Sequence, residues 1–107
     1  MEYRPDKWEI IKFKNDKKTW YKVLGSWSGG YLDGDSWRLS SGLEEVAVDG
    51  DYYLMKNYSG SVYKVHKDAD GMTGYTASLY NNWIARAEEE SVEISIISLD
   101  DYLKESR

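Results

Sequence analysis

The stretch Glu44-Glu45-Val46-Ala47-Val48-Asp49-Gly50-Asp51-Tyr52-Tyr53-Leu54-Met55 decides how this chain folds. Two runs rich in Val, Tyr and Leu flank Asp49-Gly50, and this dipeptide between apolar runs is the strongest short-range signal of a β-hairpin. Asp tolerates the positive φ that such a turn requires, and Gly adopts it without steric cost. The stretch therefore predicts two antiparallel strands joined by a tight turn.

A turn at Asp49-Gly50 also predicts the pairing of the two strands, with Val48 opposite Asp51 and Val46 opposite Tyr53. Because side chains alternate along a strand, each residue is assigned to one face of the sheet. One face carries Val46, Val48, Tyr53 and Met55, and the other carries Ala47, Tyr52 and Leu54. Since both faces hold apolar groups, we expect this hairpin to lie in the centre of its sheet.

Outward from the hairpin, further short apolar runs alternate with polar turns and predict more strands. These strands span residues 8–13, 19–24, 37–40, 61–66 and 92–97. The pattern changes after residue 74, where Leu79, Trp83 and Ala87 recur every four residues and predict an amphipathic helix over about 76–87. Ser98, followed three residues later by Asp101, predicts the N-terminus of a short C-terminal helix.

These elements predict one α+β domain over residues 1–107. Its core is a strongly bent antiparallel sheet or partly open barrel of six to seven strands. The helix at about 76–87 packs on the sheet, and the short C-terminal helix completes the chain. A small SH3-like barrel with a helical appendage is the alternative architecture.

Composition and charge limit the classes of partner. The net charge is −5, so an acidic body of this kind does not favour nucleic acid, although residues 1–22 hold seven basic residues against four acidic ones. The lack of cysteine excludes a disulfide framework and a thiolate metal site, and favours a reducing compartment. With no apolar run of membrane-spanning length, we expect a cytoplasmic protein without a membrane partner.

Motifs that carry chemistry are weak in this sequence. Asp68-Ala69-Asp70-Gly71 resembles part of a calcium-binding loop, but the first and last ligand positions fall on His66 and Ala77. His66 is the single histidine, so a histidine-based metal or catalytic site is not supported. We therefore predict no catalytic residue, no metal and no cofactor. Paired acids such as Asp33 and Asp35 support only a less favoured hypothesis, a small enzyme.

Aromatic side chains at breaks in the pattern are the remaining functional signal, because 5 Trp and 10 Tyr are more than an ordinary core of 107 residues needs. The candidates for partner or ligand binding are Trp27, Tyr31, Trp37 and Tyr58. A gap-free internal similarity between residues 21–32 and 52–63 places Trp27 and Tyr58 at equivalent corners, unless the similarity is chance.

Two alternatives exist for these four aromatic residues: they fill corners of the core, or they cluster as a partly exposed surface. The second alternative predicts a non-enzymatic binding or adaptor protein that contacts a protein partner or a second copy of itself, as in a homodimer. A carbohydrate- or small-ligand-binding module is the alternative function.

Overall fold

The structure is a computed structural model that describes residues 1–30 and 34–106, without the side chains of residues 29, 30, 34 and 35. The described part contains eight strands and two helices. The strands are β1 (Glu2–Tyr3), β2 (Lys7–Lys14), β3 (Thr19–Gly30), β4 (Gly34–Leu39), β5 (Leu43–Asp49), β6 (Tyr52–Asn57), β7 (Val62–His66) and β8 (Glu93–Ile97). The helices are α1 (Gly74–Glu89) and α2 (Leu99–Glu105).

The predicted α+β class is confirmed, but the strands form two sheets that are not closed into a barrel. One sheet has the order β1-β7-β6-β5 and the other has the order β4-β3-β2-β8. We call them the first and the second sheet. The seven predicted strands are all present, and the eighth is β1, a two-residue strand that pairs parallel to β7. The bent sheet or barrel expected from sequence is thus replaced by two open four-stranded layers.

The central hairpin forms, but its turn lies one residue later than predicted. Asp49 pairs with Tyr52, and Val46 pairs with Met55. The turn residues are therefore Gly50 and Asp51, with a φ of 59° at Gly50, the first central position that favours glycine in a type II′ turn. From Val46 to Asp49, each residue of β5 therefore pairs with a residue two positions later on β6 than predicted. Because side chains alternate with a period of two, every residue keeps its predicted face. The predicted central location is wrong, because β5 is an edge strand.

Substitution of Gly50 provides a test of this turn. We expect Gly50→Ala to lower the free energy of unfolding by about 1 kcal/mol, because a residue with a Cβ resists positive φ. The matched control is Gly42→Ala, since neither site has an atom within 4 Å of the added Cβ and only Gly50 has positive φ. Urea denaturation of both variants measures the difference, and equal stability of the two would contradict the turn geometry.

The main core lies between the two sheets. Trp8, Ile10 and Val23 of the second sheet pack against Met55 and Tyr63 of the first. Alternate residues of the second sheet point to its other face, where Ile11 and Leu24 pack against Tyr80 of α1. The molecule therefore has three layers: the first sheet, the second sheet and α1.

The predicted helix near 76–87 is confirmed and is longer by two residues at each end. At its start, the Thr73 hydroxyl accepts a hydrogen bond from the Thr76 backbone N–H. At its end, Ser91 has a φ of 60°, and Val92 donates its backbone N–H to the Ala87 carbonyl at 2.9 Å. This Schellman arrangement satisfies the last carbonyls and carries the helix past Ala87 despite the acidic residues there.

Ser91 occupies a left-handed conformation that glycine adopts more readily. We expect Ser91→Gly to raise the free energy of unfolding by roughly 0.5–1 kcal/mol. Thermal unfolding followed by circular dichroism measures the gain, with Ser95→Gly in strand β8 as the control that should lose stability. A loss in Ser91→Gly would show that the helix does not end in this way.

The short C-terminal helix is also confirmed, and Ser98 caps it by accepting a hydrogen bond from the Asp101 N–H at 3.1 Å. Tyr102 is buried in the main core and packs edge-to-face against Tyr21, with 5.0 Å between ring centroids. Glu105 accepts hydrogen bonds from Lys12 and from the Tyr21 hydroxyl, and the Lys12 bond lowers the pKa of this carboxyl. Neither helix of the described chain has the length and apolar character needed to cross a membrane.

Candidate functional site

Three of the four aromatic residues predicted from sequence are described by the structure, and these three do not form one cluster. Tyr31 lies outside the described residues. Trp27 is half-buried, and its Nε1–H donates to the Arg4 carbonyl at 3.1 Å. Tyr58 is 79% exposed in the turn between β6 and β7. The internal similarity is not matched by structure at this point, because β3 runs through Trp27 without a turn.

Trp27 and Trp37 lie on opposite faces of the second sheet. Ser26 is opposite Trp37, and Trp27 is opposite Ser36, so alternation sends the two indoles to different sides. Trp37 shares its face with α1 and packs edge-to-face against Trp83, with 4.9 Å between ring centroids. Of the three predicted residues that are described, Trp37 is therefore the one that joins other aromatic side chains on the α1 side.

An open cleft of about 350 Å³ lies between α1 and the second sheet, and its principal residues are Phe13, Trp20, Trp83 and Ile94. We call it the aromatic cleft. Phe13 and Trp20 are opposite each other on β2 and β3 and stack with an interplanar angle of 10° and 5.5 Å between centroids. Phe13, Trp20 and Trp83 are only half-buried. Each ring is thus held in place by a neighbour while part of its surface stays open.

Basic side chains surround the aromatic cleft. The Lys18 ammonium lies 5.1 Å from the centre of the Trp20 ring, and the Lys22 ammonium lies 5.9 Å from the centre of the Phe13 ring. Arg86 of α1 and Glu90, which caps the C-terminus of α1, line the cleft as well. Three cations against one carboxylate make this surface basic, although the chain as a whole is acidic.

Sequence reasoning missed Phe13 and Trp20 as site residues because both lie in regular strands. The predicted hairpin gave only part of the signal, since a turn over residues 14–18 places Phe13 opposite Thr19. The observed turn over residues 15–18 is one residue shorter and places Phe13 opposite Trp20. What the sequence does not give is the layer that faces them. Their exposure follows from the position of α1, whose Trp83 reaches the same cleft but does not cover it.

A second cleft, of about 240 Å³, lies where β8 ends and the loop before α1 approaches β2. Its acidic residues are Glu9, Asp70 and Asp100, with Trp8 and Lys67 beside them. We call it the acid cleft. Burial, followed by the charge of Asp70, raises the pKa of Glu9 to about 7, while a hydrogen bond from the Gly71 backbone opposes the shift. Burial, followed by the charge of Glu9, raises the pKa of Tyr80.

The loop at Asp68–Gly71 has a structural role in this cleft. The Trp8 N–H donates to the Ala69 carbonyl at 3.2 Å, and the Gly71 N–H donates to the Trp8 carbonyl at 2.8 Å. His66 accepts a hydrogen bond from the Asp68 N–H at its Nδ1 atom and packs edge-to-face on Tyr52. Within residues 1–30 and 34–106, no three His, Cys, Asp or Glu side chains come together as a metal site. The side chains of Asp33 and Asp35 are not described.

No model of a known protein family matches this chain, and no curated protein or solved structure matches it significantly. The functional argument therefore depends on the geometry of the molecule itself.

Proposed function

We propose that this chain is a non-enzymatic binding or adaptor protein that holds a protein partner in its aromatic cleft. The observation that carries the proposal is the set of three half-buried rings, Phe13, Trp20 and Trp83, around one open cleft. Aromatic side chains of this kind bring large contact areas at little cost in side-chain entropy.

The rings of the aromatic cleft are ordered before any partner arrives. Trp20 stacks on Phe13, and Trp83 packs against Trp37, so each ring has a fixed neighbour. A preordered surface loses less conformational entropy on binding. The rings can therefore act as anchors, while Trp37, which is 38% exposed, extends the surface beyond the cleft.

The charge around the cleft indicates the chemistry of the partner. Lys18, Lys22 and Arg86 favour a partner segment that carries Asp or Glu beside an apolar side chain. A second copy of this acidic chain meets the same description, so a homodimer is one form of the proposal. With a net charge of −5 and no cysteine, the proposed setting is the cytoplasm, without nucleic acid or membrane as partner.

The stacked pair Phe13–Trp20 favours a second candidate, a carbohydrate- or small-ligand-binding module, because two nearly parallel, half-buried rings offer aromatic surface for a flat ligand face. The two candidates use the same cleft and differ in ligand. Titration with cellopentaose, followed by tryptophan fluorescence, tests the second candidate.

Peptide selection tests the first candidate. A library of random twelve-residue peptides displayed on phage is selected against the wild-type chain, and calorimetry measures the affinity of the enriched peptides. We expect these peptides to combine an apolar residue with Asp or Glu. Trp20→Ala should lower their affinity at least tenfold. The matched control is Tyr58→Ala, which removes an exposed ring in the first sheet and should leave the affinity unchanged.

A variant with intact rings keeps the test decisive if Trp20→Ala loses structure. Lys18→Glu reverses one charge beside the Trp20 ring. It should lower the affinity for acidic peptides without lowering the melting temperature of the protein. Enriched peptides that bind wild type, Trp20→Ala and Lys18→Glu equally would contradict the proposal. So would a selection that enriches no peptide.

A further inference from the structure

Strand β8 leaves one long edge of the second sheet without a partner in the described part of the chain. Its register with β2 is continuous from Ile97, opposite Ile10, to Glu93, opposite Lys14. The outer N–H and C=O groups of an edge strand can pair with another extended chain. Strand β8 thus presents a regular edge of five residues, in which the backbone groups of alternate residues point away from β2.

In the described chain, the other three edges of the two sheets carry more of the features that discourage such pairing than β8, whose one charged residue is Glu93 at its first position. Strand β1 has only two residues, and β5 has exposed Glu44 and Glu45 together with a shift in register. Strand β4 carries Arg38 and also has a register shift relative to β3. Strand β8 contains no Lys, Arg or Pro and no shift. Short strands, charges and bulges are the usual protection of an edge.

An apolar groove runs beside the β8 edge on the α1 side. It has a volume of about 410 Å³ and is lined by Ile84 and Glu88 of α1 and by Val92, Glu93 and Ile94. Ile96 points to the same side as Ile94 and is 45% exposed. An extended chain paired with β8 would therefore place every second side chain against aliphatic surface.

The charged residues near the β8 edge indicate which kind of partner segment can bind there. Glu88, Glu89, Glu90 and Glu93 are exposed at the groove and at the adjoining end of α1. Two basic residues lie directly opposite β8, Lys14 opposite Glu93 and Lys12 opposite Ser95, and the Lys12 ammonium is already paired with Glu105. Glu93 projects from the face opposite to Ile94, so the alternate side chains of an added strand would meet its carboxylate. A second copy of β8 would bring the same acidic residues together across the interface.

We infer that the β8 edge binds an extended segment of a partner protein in which apolar residues alternate with Lys or Arg. The backbone of the segment extends the second sheet, its apolar side chains enter the groove beside Ile84, and its basic side chains face Glu93. This surface shares Val92 and Ile94 with the aromatic cleft, but it prefers the opposite charge and requires no ring of that cleft.

Two synthetic peptides test the inference, one alternating valine with lysine and one alternating valine with glutamate, each about seven residues long. We expect calorimetry to show at least tenfold tighter binding of the lysine peptide. Hydrogen exchange should slow at the backbone amides of β8 in its presence. Equal affinity of the two peptides, or no binding of the lysine peptide at millimolar concentration, would overturn the inference.

Variants of exposed residues locate the binding and identify the occupant. Ile96→Lys should lower the affinity for the lysine peptide at least tenfold. Its matched control is Leu103→Lys on α2, because Leu103 is also partly exposed, at 41%. Glu93→Lys should reverse the preference between the two peptides, which keeps the test valid if Ile96→Lys loses structure. Trp20→Ala should leave the lysine peptide unaffected, so a failure here is distinguishable from a failure of the aromatic cleft.

Sedimentation of the peptide-free protein completes the test. We expect that the wild-type chain does not self-associate through Ile96. A dimer that Ile96→Lys dissociates would show that the occupant is a second copy of the chain and would overturn the choice of a basic partner.

Discussion

Gly25→Val is expected to lower the free energy of unfolding by about 3 kcal/mol, because a larger side chain at Gly25 would overlap Pro5 and Tyr63. A Cβ added at Gly25 would lie 3.0 Å from Cβ of Pro5 and 3.4 Å from a ring carbon of Tyr63 in the first sheet. Both neighbours are buried, so neither can move aside without disturbing the main core. Urea denaturation measures the loss.

The matched control for this prediction is Gly42→Val, where nothing lies within 4 Å of the added Cβ. It should change stability by less than about 1 kcal/mol. Gly25→Ala should fall between the two variants. A Gly25→Val chain as stable as wild type would mean that the sheets do not pack face to face at this point.

The second large effect concerns the acid cleft. Stability is expected to fall as pH rises from about 4.5 to about 7, because the ordinary pKa of a Glu is 4.5 and that of folded Glu9 is about 7. In this window the unfolded chain releases the Glu9 proton while the folded chain keeps it. The stabilisation is complete below pH 4.5 and is lost above pH 7. The shift corresponds to a ceiling of about 3 kcal/mol, which we reduce to about 2 because Glu9 is half-exposed.

Glu9→Gln isolates this contribution, since the amide imitates the protonated carboxyl. We expect Glu9→Gln to match wild type at pH 4 and to exceed it by about 2 kcal/mol at pH 8. Glu89→Gln, an exposed change on α1, is the control and should leave the pH profile unaltered. If Glu9→Gln is destabilised equally at both pH values, Glu9 does not hold a proton near neutrality.

The central hairpin shows how far local sequence determines this fold. The alternation of apolar residues assigned Val46, Val48, Tyr53 and Met55 correctly to one face. It could not choose between a turn at Asp49-Gly50 and one at Gly50-Asp51, because two acidic residues flank the glycine. The observed turn lets Asp49 stay in the strand, where its carboxylate lies 3.4 Å from the Lys64 ammonium on β7. That contact is not encoded locally.

Helix α1 was predictable because its apolar residues keep a helical period over three turns. The residues at which α1 begins and ends were less predictable. An end near Ala87 is expected because the helix dipole disfavours the acidic residues 88–90, whereas the backbone hydrogen bonds of Ser91 and Val92 continue the helix to Glu89. The arrangement of the strands in two sheets was not predictable from periodicity, since period two fixes faces but not which layer covers each face.

The candidate sites depend even more on contacts between distant parts of the chain. Trp27 and Trp37 both lie in or beside breaks in the sequence pattern, yet they point to opposite faces of the second sheet. Phe13 and Trp20 resemble ordinary strand residues until α1 is placed beside them. Glu9 has its raised pKa because the loop around Asp70 folds back onto β2 from about sixty positions away.

The indole N–H resonances of the five tryptophans test the proposed aromatic cleft most directly. Trp8 and Trp27 donate their indole N–H groups to backbone carbonyls away from this cleft, so they serve as internal references. When a selected acidic peptide is titrated into labelled protein, the resonances of Trp20 and Trp83 should shift, and those of Trp8 and Trp27 should stay in place. A shift confined to Trp8 and Trp27, or none in Trp20 and Trp83 at saturating peptide, would contradict the proposed binding surface.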